Sequence, residues 1–406
     1  YDIEYAQAYN EGGVFVRNRA TGAFVMDPAS PEHRLVLPGD AKARDAALAD
    51  PALAAATGQD IVPVRAEDVG VESIDDRTLR IRLMRPVPFL PGLVTHQFFR
   101  PVPREAIERY GDAWTRPDHI VTSGAFVLTV WKPYNRLVVE RNPMFWDAAR
   151  VKLDRITFYP LEDYTTMMNL YKAGDVDGVF NHVPPAAWVD DLRNYKDYMD
   201  KPEIAIEYYM YNTTRPPLTD VRVRKALNMA IDKVALARYR RTQKPLTAFT
   251  PEGIFPGYPQ PQGDSFDPAH AKALLVQAGY HDGAGGYDPS KVPVADLELS
   301  YNTADSNRQV AEFVQAQWKQ NLGLTISIKN MEWKTFIATR AALDYKGIAR
   351  AGWIGDYMDP YSFLSLFTTV AGDNGPGWFD PKYVALLAAA TRETDSQRRF
   401  EKLAEA

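Results

Sequence analysis

The chain has 406 residues, 47 of them Lys or Arg and 52 Asp or Glu, for a net charge of −5. Hydrophobic residues make up 46% and charged residues 24%, the balance of a folded globular protein, which excludes a disordered tail, a coiled coil and a disulfide-stapled miniprotein and predicts about two or three domains. There is no positive field to gather nucleic acid or anionic lipid, no apolar run reaches the roughly 18 residues of a membrane span, and the absence of cysteine removes thiol nucleophiles, disulfides and Cys-ligated metals together.

The missing cysteine also fits an oxidising export compartment. The opening run Tyr1-Asp2-Ile3-Glu4-Tyr5 has no basic stretch, apolar core or cleavage site, so any leader is expected to have been removed or to lie upstream. Up to about residue 75 the chain reads as loop-rich, with turns at Gly12-Gly13, Asp27-Pro28 and Pro38-Gly39 and an alanine-rich helical stretch from Asp40 to Thr57. Arg77 to Leu83 alternates, with Leu79, Ile81 and Leu83 on one face and Arg80 and Arg82 on the other, which predicts a half-buried strand ended by Pro86, Pro88 and Pro91.

Two stretches then predict βαβ units. The first is a strand at Ile156 to Pro160, a helix from Tyr164 to Ala173 with Met167, Leu170 and Tyr171 on one face, a stop at Gly174, and a strand at Val176 to Phe180. The second is a strand through Leu297, Leu299 and Tyr301, a helix from about Asn307 with Val310, Phe313, Val314 and Trp318 on one stripe, a stop near Gly323, and a strand through Leu324, Ile326 and Ile328. Two such units predict two α/β lobes. Between them, Asp220 is a plausible N-cap for a helix that buries Val223, Leu227, Ala230, Ile231 and Val234. The proline-rich run Thr250 to Asp267 predicts a long ordered loop or a lid.

Catalytic patterns are missing. The histidines His33, His96, His119, His182, His270 and His281 are never three or four apart, so no helix offers paired imidazoles to a metal. Gly283-Ala284-Gly285-Gly286 reads as a turn rather than a nucleotide fingerprint, and Asp175 and Asp177 lack the further oxygens of a calcium loop. No enzyme activity, cofactor or metal is expected. One segment, Glu332 to Phe367, does concentrate recognition chemistry: Trp333, Arg340, Arg350, Trp353, Asp356, Tyr357 and Asp359, with Gly352 and Gly355 between them. A carboxylate can pair an ammonium, guanidinium groups can fork a carboxylate, and aromatic planes can accept side chains. The same composition also fits a surface ion-pair network around core tryptophans.

Several motifs resemble the periplasmic oligopeptide-binding proteins, substrate-capturing subunits of ABC importers in solute-binding protein family 5. They are SGAFVLTVWKPYNRLVVERNPMFWD (Ser123 to Asp147), RPPLTDVRVRKALNMAID (Arg215 to Asp232), LSYNTADSNRQVAEFVQAQWKQNLGLTISIKNMEWKTF (Leu299 to Phe336) and ARAGWIGDYMDPYSFL (Ala349 to Leu364). The resemblance implies a two-lobed α/β periplasmic binding protein of class II, the large peptide-binding type, with a small accessory subdomain. It implies residues 1–92 as the remainder of that subdomain, 93–206 as part of the first main lobe and 207–406 as most of the second. Members of the family are longer, so the chain is expected to be a piece whose N- and C-terminal parts are missing.

By the same resemblance Asp356 would hold a peptide's α-ammonium, Arg350 and Arg340 would neutralise its C-terminus, and Trp333 and Trp353 would wall side-chain pockets, with Tyr357 beside them. Asn307 stands where a related binder has a histidine. The spacing from Arg340 to Arg350 is one residue longer than in that relative, and the basic cluster Arg238, Arg240, Arg241 and Lys244 falls where another C-terminus-neutralising lysine is expected. The implied protein is a monomer in the periplasm that binds short peptides and docks on ABC permease subunits, without nucleic acid and without entering the membrane. The alternatives are a non-peptide cargo on the same fold, such as a nickel complex, haem, an opine or an oligosaccharide, or a structural role as an accessory subunit.

Overall fold

The structure, a computed structural model, describes residues 3–161, 163–180, 184–369 and 373–406, so His182 lies outside it. The chain divides into two compact units, residues 1–91 with 385–403 and residues 92–384 with 404–406.

In the first unit, the strand Val14–Arg17 lies between Val36–Leu37 and Asp60–Pro63, antiparallel to both. Its alternate residues serve two cores: Val14 and Val16 pack with Leu35, Leu37 and Ala56, and Phe15 with Tyr5 and Val64. The alanine-rich stretch is helical in two pieces. Asp40 caps Ala41–Ala47 by accepting from the Ala43 N–H at 2.8 Å, and Asp50 caps the 3₁₀ turn Pro51–Ala56 through the Ala52 N–H at 2.9 Å. Pro51 supplies no N–H and disfavours helix at the residue before it, which is why one helix cannot run through. Thr78–Ile81 is a strand, paired with Val71–Asp75, but it is not half-buried as its alternation predicts. Leu79 is 62% exposed, and Val71 and Ile74 share its fate. A two-stranded ribbon has its period set by pairing alone, and neither of the two buried clusters around Val14–Arg17 includes these residues.

The second unit holds two larger sheets. Phe126–Lys132, Arg136–Arg141 and Arg155–Phe158 form an antiparallel sheet with 136–141 in the middle. The first predicted βαβ unit is therefore not formed. Its helix exists at Tyr164–Ala173, capped by Asp163 and ended by Gly174 at φ 80°, but residues 176–180 make no strand. A strand is a pairing as much as a conformation, and Asp175, Asp177 and Gly178 have little β preference to hold one unpaired.

The second βαβ unit is present. Leu299–Asn302 and Ile328–Met331 run parallel, joined by the helix Asp305–Leu322, which Gly323 ends at φ 72°. Leu324 and Ile326 are buried but precede the strand instead of starting it. The full sheet has the order Ala205–Tyr211, Ile348–Ile354, Leu299–Asn302, Ile328–Met331, with only the first pair antiparallel. Trp318, fully buried, donates its indole N–H to the Leu227 carbonyl at 2.9 Å and so fastens the crossover helix to Val221–Met229.

Asp220 does cap that second helix, through the Arg222 N–H at 2.8 Å. The stripe does not continue to Val234, which is 56% exposed, because Asp232 starts a separate helix, Lys233–Arg240, by accepting from the Ala235 N–H. Residues 250–267 contain no helix or strand, and Thr250 and Phe255 are buried within them. The glycine run is a turn built on Asp282, whose carboxylate accepts from the Ala284 and Gly286 N–H groups. Among the described residues no group of three or more acidic or histidine side chains is placed to hold a metal, and no helix is long and apolar enough to cross a membrane.

Candidate ligand-binding cleft

In the second unit a cleft of about 3680 Å3 follows the open edge of the sheet, and every residue from Ala205 to Tyr211 lines it. Alternation divides the side chains here into two sets. Glu207, Tyr209 and Tyr211 share one face with Arg350 and Gly352, to which Tyr209 and Glu207 are directly paired. Ile206, Tyr208 and Met210 share the other with Ala349, Ala351 and Trp353. Trp333, Arg340, Arg350 and Trp353 all line the cleft, whereas Asn307, Asp356 and Tyr357 are outside its lining.

Arg340 comes from the last turn of the helix Trp333–Ala341, which Glu332 caps by accepting from the Thr335 N–H at 3.1 Å. Phe336 buries the helix against Met210, Tyr345, Ala349 and Ala351, and the guanidinium of Arg340, one turn on, lies 5.7 Å from the Phe336 ring. Trp333, at the helix start, is 53% exposed. Trp353 is half-buried against Ile206, Phe255 and Phe363. Tyr208, beside Arg340, is pushed up to about 12 by burial, against the pull of the guanidinium. Among the described residues of the cleft, three buried polar atoms find no hydrogen-bond partner: the Tyr209 hydroxyl, Arg340 Nε and Trp353 Nε1.

Arg350 is engaged. Its Nε donates to Glu207 Oε1 at 3.1 Å and one terminal nitrogen to Asn302 Oδ1 at 3.4 Å. Asn307 is buried, and its amide donates to the Asn302 carbonyl at 2.9 Å and to Oδ1 at 3.1 Å. It thus braces the asparagine that Arg350 also uses. Asp356 follows the end of its strand. Its backbone N–H donates to Ser362 Oγ at 2.9 Å, and one carboxylate oxygen lies 3.5 Å from His96 Nε2. Burial raises the Asp356 pKa; His96 opposes that shift and Asp373 adds to it. Tyr357 is half-buried.

In the basic cluster, Arg240 donates to the Ser306 carbonyl at 3.1 Å and Arg241 pairs with Asp190; Arg240 and Lys244 line the cleft. Glu207, Tyr209, Asn302 and His96 escape sequence reasoning. Only Glu207 leaves a local signal, as the one charge in the aromatic run Ile206 to Tyr211.

Residues 27–375 match the model of the bacterial extracellular solute-binding proteins, family 5 Middle. The periplasmic oligopeptide-binding protein OppA of Salmonella typhimurium is 32% identical over 360 residues, 84% of this chain and 62% of its own length. The probable deoxycholate-binding periplasmic protein YgiS of Escherichia coli is 33% identical over 341 residues, 82% of this chain and 61% of its own. A crystal structure of a periplasmic oligopeptide-binding protein of Borrelia burgdorferi, OppAIV, superposes with a TM-score of 0.74 at 34% identity, covering 84% of this chain and 67% of that one. The chain therefore spans about three fifths of the length of the curated relatives it matches. The shared architecture is the mixed α/β fold of the periplasmic binding proteins. With the family model covering most of its length, this chain belongs to the bacterial extracellular solute-binding proteins of family 5.

Proposed function

We propose that this chain is part of a protein that captures short peptides and hands them to an ABC permease in the cell envelope, acting by binding and not by catalysis. The observation that carries this reading is the set of buried, unpartnered polar atoms on Tyr209, Arg340 and Trp353, all in one cleft. Leaving such an atom unpaired costs about 1–3 kcal/mol, and a ligand that bonds to it recovers that cost. In this reading Arg340 and Arg350 are the candidate cations for the peptide's carboxylate, Asp356 meets its α-ammonium, Trp333 and Trp353 wall side-chain pockets with Tyr357 beside them, and Asn307 braces the asparagine that Arg350 also uses. Room for bridging water makes side-chain preference broad. The protein works as a monomer in the periplasm, and residues 1–92, 93–206 and 207–406 serve as the remainder of the accessory subdomain, part of the first main lobe and most of the second.

Native mass spectrometry of gently purified protein tests the proposal. A ladder of adducts spread over the masses of short peptides is expected. A single sharp adduct of fixed mass points instead to a dedicated cargo. The aromatic wall of Tyr208, Phe249, Phe367 and Trp378 in the cleft keeps an amphipathic carboxylate such as a bile acid as the second reading, given the relative named for deoxycholate.

A further inference from the structure

The two cleft arginines differ in what surrounds them. Arg350 stands on the central strand of its sheet, and Glu207 reaches it from the edge strand, diagonally across the pairing of Tyr209 with Arg350 and Glu207 with Gly352. The contact is a charge-assisted hydrogen bond of 3.1 Å between side chains only 25% and 32% exposed, and Asn302 holds a second nitrogen of the same guanidinium. A carboxylate arriving from a ligand finds this cation already neutralised and two of its donor positions in use. Arg340 makes no ion pair with any described residue and keeps a buried Nε without a hydrogen-bond partner. It lies with the face of the sheet opposite Glu207, its guanidinium 5.7 Å from the ring of Phe336, which packs with Met210, Ala349 and Ala351.

We propose that Glu207 is a specificity-determining residue: by occupying Arg350 it silences that arginine as an anion subsite and leaves Arg340 to read the ligand's carboxylate. The inference rests on the proposed peptide-binding role. Its physical core is competition within the protein: a tethered carboxylate has a high effective concentration and no association entropy to lose, so a free carboxylate of equal chemistry displaces it poorly. A substitution that removes the charge but keeps the shape, Glu207→Gln, frees the guanidinium for a ligand.

The test combines binding with arginine reactivity. Affinities of short alanine peptides, as free acids and as C-terminal amides, are measured on the native chain, Glu207→Gln, Arg340→Met and the double variant. In the native chain the free acid is preferred; Arg340→Met abolishes the preference; and adding Glu207→Gln restores it to about tenfold, the effect of one charge-assisted contact. Separately, phenylglyoxal labelling of Arg350, located by peptide mass mapping, becomes several-fold faster in Glu207→Gln while labelling of Arg340 is unchanged. Retention of the free-acid preference in Arg340→Met overturns the proposal, as does Arg350 labelling that ignores Glu207. Failure of the native chain to bind either peptide form removes the peptide reading alone, because the labelling still decides whether Glu207 masks Arg350.

Discussion

Asp356 shows how one side chain can favour ligand and fold in opposite directions. Burial holds its carboxyl above the ordinary aspartate range, with His96 nearby limiting the shift. An ammonium ligand needs the ionised form, so affinity for unblocked peptides falls as pH drops through the raised pKa, beginning at higher pH than for an exposed aspartate. For stability the native state binds this proton more readily than the unfolded chain. The group therefore weighs against folding most above its raised pKa and less as pH falls below it. Asp356→Asn is expected to abolish binding of unblocked peptides at neutral pH, to spare N-acetylated ones, and to leave the melting temperature equal or higher. Equal loss of both peptide forms in calorimetric titrations, with a lower melting temperature, would make Asp356 a structural residue. The resemblance of the run Ala349 to Leu364 implies its role but not its partner. His96 lies far away in the chain, and no pattern near either residue announces the contact.

Among the elements, those whose signals are local form as the sequence predicts. The crossover helix Asp305–Leu322 carries an apolar stripe and a glycine stop, and both work as expected because they act within a few turns. What fails depends on a neighbour. Val176 to Phe180 has strand-like valines and a phenylalanine but no pairing among the described residues, and Leu79 alternates correctly on a ribbon that neither of the buried clusters around Val14–Arg17 includes. In the same way the sequence holds Arg340, Arg350 and Trp353 in one run, yet alternation along Ile348–Ile354 turns Arg350 and Trp353 to opposite faces and only the edge strand decides that Glu207 meets Arg350. The joint between helices can be tested at Trp318. Trp318→Phe keeps a ring in the core but leaves the Leu227 carbonyl without its donor and a small void beside it. A loss of about 2–4 kcal/mol is expected, seen as a lower urea midpoint with an unchanged slope. Gly347→Ala should act similarly where the strands Leu299–Asn302 and Ile348–Ile354 begin, since its Cβ would stand 2.6 Å from the Asp296 carbonyl oxygen, a backbone atom that cannot swing away. A midpoint unmoved by either change would show that the crossover packing is looser than its burial implies.

At the scale of the whole molecule, the division into two compact units makes binding and stability separable. Each unit has buried clusters of its own: Val14, Val16 and Phe15 anchor two in the first, and Trp318, Phe336 and Phe363 three in the second. The cleft and all seven candidate residues belong to the second. A ligand stabilises whatever it binds by about 2.7 kcal/mol when present at roughly 100 times its Kd, and that energy appears only in the cooperative unit that contains the site. Hydrogen exchange with and without a saturating peptide is therefore expected to slow along Ala205–Tyr211 and Ile348–Ile354, while the sheet of Val14–Arg17 and Asp60–Pro63 exchanges at its unliganded rate. The edge strand is the most informative reporter. It pairs on one side only, so in the free protein it is held by fewer hydrogen bonds than the central strand and has the most protection to gain. Equal slowing in both units would mean that they open as one cooperative block despite their separate cores. Slowing in the first unit alone would place the ligand elsewhere and withdraw the cleft as its site.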